Sequence, residues 1–418
     1  MKFNGSLSRL ILGGFVAAGV LVGCGGSGDI NISPVTTDSS TDNSVNNSNN
    51  VAAPVANPCA SNGQIQGDFD APHCMYSTAF ADSGNNIDVD MTLVDLDDDG
   101  AHVFSGSLFI GEDYTKGDLA AAGITKGGDG PTLTIEAGAT VAFVDKTKFM
   151  VIMRGSQIQA VGTAAKPITI TSLSDVNGTI SSPEAVSEWG GLVINGFGVT
   201  NKCTYTGTRG TDLALDGFCD VASEGSEGQD ANHYGGDNDA DDSGRLEYFI
   251  VKHTGNQVAN GDELNGITFS GVGSGTVVKN AQAYSTYDDG FEFFGGSVNM
   301  ENYVALYVND DSLDFDEGYN GTITNALIIQ SETNGNRCIE ADGIGSYSSK
   351  TEAFITDMLT RKLNSRPTVT NLTCIYSPVQ VDSATNEVSG GSGTGKHDPG
   401  AGFRPVSYTH LRAHETSE

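Results

Sequence analysis

Asparagine recurs at one place in four strand-like segments, and that recurrence leaves the chain very few folds. Val278-Lys279-Asn280-Ala281, Met300-Glu301-Asn302-Tyr303, Ile323-Thr324-Asn325-Ala326 and Val369-Thr370-Asn371-Leu372 align, with steps of 22, 23 and 46 residues between their asparagines. A period in the low twenties, with β-branched residues and Gly-rich corners instead of a leucine-rich pattern, marks a solenoid of stacked β-coils. The long step reads as one coil with an excursion, because Phe354, Met358, Leu359 and Leu363 follow helical spacing over 351–363 behind Thr351 as a cap. The asparagines are expected to form an internal ladder, each amide bonded to the copy one coil away, since buried amides must be paired.

A second column supports the register. Ile267-Thr268-Phe269, Phe291-Glu292-Phe293, Leu313-Asp314-Phe315 and Ile339-Glu340-Ala341 alternate apolar, polar, apolar, so the flanking residues face a core and the central one faces water. Earlier coils follow in Leu133 to Val141, Gln157 to Thr163, Pro167 to Thr171 and Trp189 to Ile194, with Gly or Pro at the corners. The expected fold is all-β, a parallel β-helix over 126–405, whose right-handedness rests only in part on the crossover rule for parallel strands. An open solenoid end needs a cap, and the less regular residues 59–125 are assigned to it. Trp189 is read as packing over a coil corner.

The chain begins with a secretory leader. Lys2 and Arg9 head an apolar run from Leu10 to Leu21, too short to remain as a transmembrane helix. The leader, residues 1–23, ends in Leu21-Val22-Gly23-Cys24, which resembles a bacterial lipobox and makes Cys24 the lipidated N-terminus of the mature protein. Residues 24–58, rich in Gly, Ser, Asn, Thr and Asp, read as a flexible tether. Gly25 follows the lipidated residue where Asp would signal retention at the inner membrane, so outer-membrane anchoring is expected, on the periplasmic or the cell-surface side. At the other end, 406–418 resembles a translated sequencing adapter, which would place the natural chain's interruption near Pro405.

Composition bounds the partners. With 21 basic and 53 acidic side chains the net charge is −32, a field that repels nucleic acid and attracts cations. The 55 glycines with only 18% charged residues favour short strands and turns over long helices. Beyond Cys24, six cysteines fall as local pairs, Cys59 with Cys74, Cys203 with Cys219 and Cys338 with Cys374, and in an oxidising compartment these read as disulfides. Their spacing does not suit zinc.

Leu133 to Gly138, Trp189 to Ile194, Glu263 to Ile267, Asp288 to Gly296 and Asp310 to Phe315 together resemble the bacterial β-helix surface lipoproteins, a pectin-lyase-like group that includes a leptospiral outer-membrane lipoprotein. The resemblance covers about residues 105 to 380. It implies a right-handed β-helix without an established catalytic site, and a setting often beside TonB-dependent receptors.

Chemistry is most legible in the carboxylates. Glu292, Asp314 and Glu340 stack on one outward line about 4.8 Å apart, with Asp289, Asp311 and then Arg337 in neighbouring columns. Two such charges repel by about 3 kcal/mol at an effective dielectric of 20, but by under about 1 kcal/mol in water. The face is therefore well solvated, paired with Arg337, or occupied by a cation, of which Ca2+ suits clustered carboxylates outside the cell. Asp95, Asp97 and Asp99, followed by Gly100, match the first half of a calcium loop, but Gly106 stands where the bidentate Glu belongs. The run Asp237 to Asp242 alternates similarly without the glycine, and for both runs a solvated acidic loop is the other reading.

Two functions follow. One is a non-catalytic surface module that binds a glycan, a TonB-dependent receptor or a cation, or serves structurally. The alternative is a Ca2+-dependent polysaccharide lyase or hydrolase with Arg337 as the base. Fold by itself does not choose between them.

Overall fold

The computed structural model describes residues 56–113, 123–124, 128–225, 232–259, 262–331, 334–345, 347–375, 403–406 and 412–414. The leader, Cys24 and most of the tether lie outside the described residues. Residues 56–418 form one unit, and no described helix is long and apolar enough to cross a membrane.

Parallel strands stack coil upon coil into two sheets of eight and fourteen strands. The smaller sheet runs Leu108–Ile110, Met150–Ile152, Leu192–Asn195, Ile267–Ser270, Phe291–Phe294, Leu313–Asp316, Ile339–Asp342 and Phe403–Val406. In the early coils the larger sheet is two separate strips. Met91–Leu93, Thr132–Ile135 and Gln157–Val161 make one; His73–Tyr76, Ala101–Phe104, Thr140–Phe143 and Ile168–Ser172 make the other. Both strips pair with Gly244–Thr254, and from there each coil carries one long bent strand, Val277–Thr286, Asn299–Leu306, Thr322–Ile329 and Thr368–Ile375, with Arg412–His414 at the end. This is the expected parallel β-helix.

The bend explains the asparagines. Asn280, Asn302, Asn325 and Asn371 have φ of 52°, 61°, 61° and 58°, and Tyr248 holds the same corner in the preceding coil at 49°. A left-handed residue turns the strand without breaking its pairing, and Asn tolerates that conformation better than most side chains. Each asparagine then donates to the next, Asn302 to Asn280, Asn325 to Asn302 and Asn371 to Asn325, all at 2.9 Å. The ladder forms as expected but not inside the core: Asn280 and Asn302 are half-buried, and Asn325 and Asn371 are exposed. The left-handed corner directs these side chains outward.

Ile323 pairs directly with Val369, so the 46-residue step is one coil with an excursion. That excursion carries the helix Glu352–Thr360, whose cap Thr351 accepts from the Phe354 amide at 3.2 Å. Parallel stacking starts earlier than expected, because strands between 73 and 110 already pair in parallel with their neighbours; within 59–125 the hairpin of Asp68–Asp70 with His73–Tyr76 is antiparallel. Disulfides join Cys59 to Cys74, Cys203 to Cys219 and Cys338 to Cys374.

Inward-facing side chains make one continuous core along the axis. Phe143 stacks on Trp189 at 5.0 Å, Phe269 on Phe293 at 5.1 Å, and Phe315 on Tyr319 at 5.1 Å. Trp189 is fully buried, and its indole N–H donates to the Lys252 carbonyl at 2.7 Å. Burying each large apolar side chain contributes about 1.5–3 kcal/mol, the main force that holds successive coils together.

A second excursion, 196–243, leaves after Leu192–Asn195, and its described residues lie against the outer face of the smaller sheet. Gly198 donates to the Gly271 carbonyl at 2.6 Å, and an added Cβ at Gly198 would meet that oxygen at 2.4 Å, so only glycine permits the approach. Two arginines pin the segment down. Arg154 donates to the Cys219 and Gly235 carbonyls at 2.8 and 3.0 Å and to Asp220 at 2.7 Å. Arg209 holds Asp239 at 2.6 Å and donates to the Gly296 carbonyl at 2.7 Å and to the Gly318 carbonyl. Tyr205 from this excursion packs with Ile355, Met358 and Leu363 from the other.

Candidate metal centre

The smaller sheet places Thr268, Glu292, Asp314 and Glu340 in one register column, as the sequence alternation requires. Their surroundings differ from the expectation. The column does not face open water, because the 196–243 excursion lies over it: Glu292 and Asp289 are each 6% exposed, Asp311 is 4% exposed, and Asp314 and Glu340 are half-buried. Glu224, carried in by the excursion, shares Asn265 with Glu292; the Asn265 amide donates to Glu224 at 3.1 Å and to Glu292 at 2.5 Å.

The turn before each strand adds more carboxylates. Asp288-Asp289-Gly290 and Asp310-Asp311-Ser312 occupy equivalent positions in adjacent coils, and Asn265 stands in for the acid one coil earlier. The Asp289 amide donates to Asn265 Oδ1 at 3.0 Å, and the Asp311 amide donates to Asp289 Oδ1 at 2.9 Å. Side-chain oxygens thus tie each turn to the next. Gly290 allows the turns to touch, since a Cβ there would lie 2.6 Å from the Ser312 carbonyl oxygen.

Two groups of three carboxylates converge, Asp288 with Asp289 and Asp310, and Asp289 with Glu292 and Asp314, the ligand oxygens of each lying within 4.8 Å of one another. Asp289 belongs to both. Burial, then the charges of Asp288 and Asp314, pushes the Asp289 carboxyl well above its ordinary range. Glu292 is raised by burial and Glu224, Asp311 by burial and Asp310, and Asp314 by burial and Glu340. Among the described residues, Oδ1 of Asp311 and Oδ1 of Asp314 have no hydrogen-bond partner. Just past the end of the strand that carries Asp314, Glu317 is compensated, by Lys202 at 2.8 Å, by the Thr200 hydroxyl at 3.1 Å and by the Tyr234 hydroxyl.

A buried nest of carboxylate oxygens suits a hard cation that accepts many oxygen ligands, and Ca2+ fits this donor set better than a metal that selects nitrogen or sulfur. Of the residues expected as ligands, Asp289, Glu292 and Asp314 come together, with Asp311 and Glu340 beside them. Asp288, Asp310 and Glu224 were not anticipated; the paired Asp-Asp turns were visible in the sequence, whereas nothing local marks Glu224.

The other acidic candidates do not assemble. Asp95 pairs with Lys166 at 2.6 Å, while Asp97 and Asp99 point to solvent, and the described residues of this loop do not bring three ligand oxygens together. The loop bends through left-handed Asp98 and Asp99, both at φ 55°, and so uses its acids as turn residues. The Asp237 to Asp242 run is structural: Asp239 holds Arg209, and Asp241 accepts from the Phe197 amide at 3.0 Å and the Ser243 hydroxyl at 3.0 Å. Burial pushes the Asp241 carboxyl up to about 6. Arg337 is 4% exposed and donates to the Asn336 carbonyl at 3.2 Å and to the Asn336 side chain. A polymer in solvent has little access to that guanidinium.

Comparison with known proteins agrees with this architecture. No curated protein and no solved structure matches the chain. The family model described as a pectate-lyase-like beta helix domain matches residues 117–394, which span both excursions and every carboxylate of the nest. The chain is therefore a member of the pectate-lyase-like β-helix domain family.

Proposed function

We propose that this chain is a non-catalytic binding module, anchored through Cys24 to the outer membrane, whose buried carboxylate nest holds Ca2+. One observation carries the cation: Asp289, Glu292 and Asp311 are buried, with half-buried Asp314 beside them, mainly other acids act on all four, and two of their oxygens lack partners among the described residues. Such a cluster is strongly self-repelling unless protonated or neutralised by a bound ion. Ca2+ would remove the repulsion and fasten the 196–243 excursion, through Glu224, onto the coils. Its role is then structural, leaving the outer surfaces for a glycan or a partner such as a TonB-dependent receptor.

The lyase alternative needs the cation and its base within reach of a polymer. The depth of the nest and the burial of Arg337 speak for the binding module.

Thermal unfolding tests the cation reading. Millimolar Ca2+ should raise Tm of the wild type and leave Asp289→Asn/Asp314→Asn unmoved, while in chelator that variant should melt no lower than the wild type because it has lost the repulsion. Equal calcium shifts in both proteins would refute the site. The anchor is tested separately by palmitate labelling, which Cys24→Ser should abolish.

A further inference from the structure

Opposite in character to the acidic nest, a groove of about 680 Å³ opens on the outer face of the larger sheet. Three successive coils make its floor, with Thr169 from the first, Ile250 and Lys252 from the second, and Gln282 and Tyr284 from the third. The wall is the segment 178–183, and it is held in place by bonds to the coils. Ser285 donates to the Pro183 carbonyl at 2.9 Å, the His253 ring to the Ala185 carbonyl at 2.6 Å, and Ser331 to Glu184 at 2.7 Å. The groove is thus built before any ligand arrives.

Its chemistry is close to electrically neutral within a chain of net charge −32. Lys252 donates to Asp175 at 2.5 Å, the Thr171 hydroxyl donates to the same carboxylate at 2.7 Å, and the Lys252 ammonium lies 5.9 Å from the centre of the Tyr284 ring. Tyr284 is itself set by the Tyr307 ring, 5.9 Å away and edge-on. Beside this compensated pair lie an amide, hydroxyls and the apolar surfaces of Ile250 and Pro183. A polyanion finds no spare positive charge here. A peptide that adds as a strand needs a free sheet edge, whereas this floor is a sheet face with its main chain committed to the ladder. What remains is a ligand with an apolar face and a rim of hydroxyls, which an aromatic ring and scattered donors and acceptors recognise together.

We infer that this groove binds a neutral oligosaccharide, with Tyr284 as the surface under a sugar ring and Gln282, Lys252 and Asp175 reading its hydroxyls. The inference rests on the chain's being a binding module, but it is independent of the cation, whose carboxylates lie on the other sheet. The three floor strands span roughly 10 Å, room for a short stretch of a glycan lying along the axis.

Calorimetric titration of the full chain tests it, with cellohexaose, xylohexaose, mannohexaose and maltohexaose as probes, hexagalacturonate as the charged comparator, and each run repeated in calcium and in chelator. At least one neutral sugar should bind better than the charged one, Tyr284→Ala and Gln282→Ala should each weaken it about tenfold or more, and Tyr284→Phe should retain it within about threefold. Circular dichroism of each variant confirms the fold. The groove assignment fails if no neutral sugar binds, if hexagalacturonate alone binds, or if Tyr284→Ala binds like wild type. Chromatography of the titrated sugar separates the two readings: cleavage products abolished by Tyr284→Ala would overturn the non-catalytic module while keeping the groove, and a calcium shift in Tm without sugar binding would do the reverse.

Discussion

Two ladders climb this solenoid at the same coil repeat, one of asparagines at the bend of the larger sheet and one of carboxylates over the smaller sheet. They obey the same geometry and end in opposite energetic states. An amide both donates and accepts, so a stack of asparagines satisfies itself, each Nδ2 meeting the next Oδ1 at 2.9 Å, and it needs nothing from outside. An ionised carboxylate only accepts. A stack of carboxylates therefore cannot close on itself and must draw donors or positive charge from elsewhere, from the Asp289 and Asp311 amides in part and, in the reading proposed here, from Ca2+.

The sharpest way to widen that contrast is calcium itself. At a concentration a hundredfold above Kd, linkage predicts about 2.7 kcal/mol of added stability in the wild type, measured as a shift in denaturant midpoint, and none in Asp289→Asn/Asp314→Asn. Asn302→Leu should leave the calcium shift intact, because it touches only the other ladder.

Acid should act next, and with a definite sign. The carboxylates of the nest have folded-state pKa values raised above those of the unfolded chain, so between the ordinary carboxylate range and the raised values the folded state holds protons that the unfolded state has released. Their contribution to stability in chelator therefore falls as pH rises through that window and recovers as pH is lowered. Protons would compete with Ca2+ for the same oxygens, so the calcium shift should shrink as pH falls. Chemical denaturation of the wild type and Asp289→Asn/Asp314→Asn across pH would show this as a difference in slope, and parallel curves would contradict it.

Breaking the self-sufficient ladder should cost less than this. Asn302→Leu loses bonds to both Asn280 and Asn325, which are half-buried to exposed, and forces a branched side chain into φ 61°, for about 1–2 kcal/mol in all. Asn302→Gly keeps the corner and loses only the amide, so it should fall at the lower end. The smallest effect belongs to Asn299→Leu, which removes one exposed acceptor for the Thr322 amide at 3.0 Å and should cost about 1 kcal/mol or less. Equal losses at 299 and 302 would mean that the corner is not what the asparagines serve.

Periodicity made the asparagine register, the outward acids and the helix behind Thr351 legible in the sequence, because each is a local pattern repeated at the coil step. Burial was not legible in the same way. Glu292 alternates with Phe291 and Phe293 as an outward residue should, and it is buried because residues 196–243, far away in the chain, return over it. The anchors of that return, Arg154 and Arg209, have no signature beyond being arginines, and Glu224 has none beyond being acidic. The Asp95 loop was ambiguous for the opposite reason: a familiar spacing of acids can also serve a turn, and the position of Lys166 is not visible locally. Tyr248 hid the first step of the bend column because a tyrosine rather than an asparagine occupies it.

The clamped excursion also changes how such a molecule should come apart. A solenoid whose coils touch only their neighbours frays from its ends, one repeat at a time. Here Asn201 reaches the Gly343 carbonyl at 3.2 Å, Arg209 grips carbonyls at Gly296 and Gly318, and Arg154 grips the same excursion from an early coil. A segment leaving after the third strand of the smaller sheet thus touches coils several repeats downstream, so the C-terminal coils cannot peel off without loosening the whole length of that brace. Melting should be a single event across these coils rather than an unzipping.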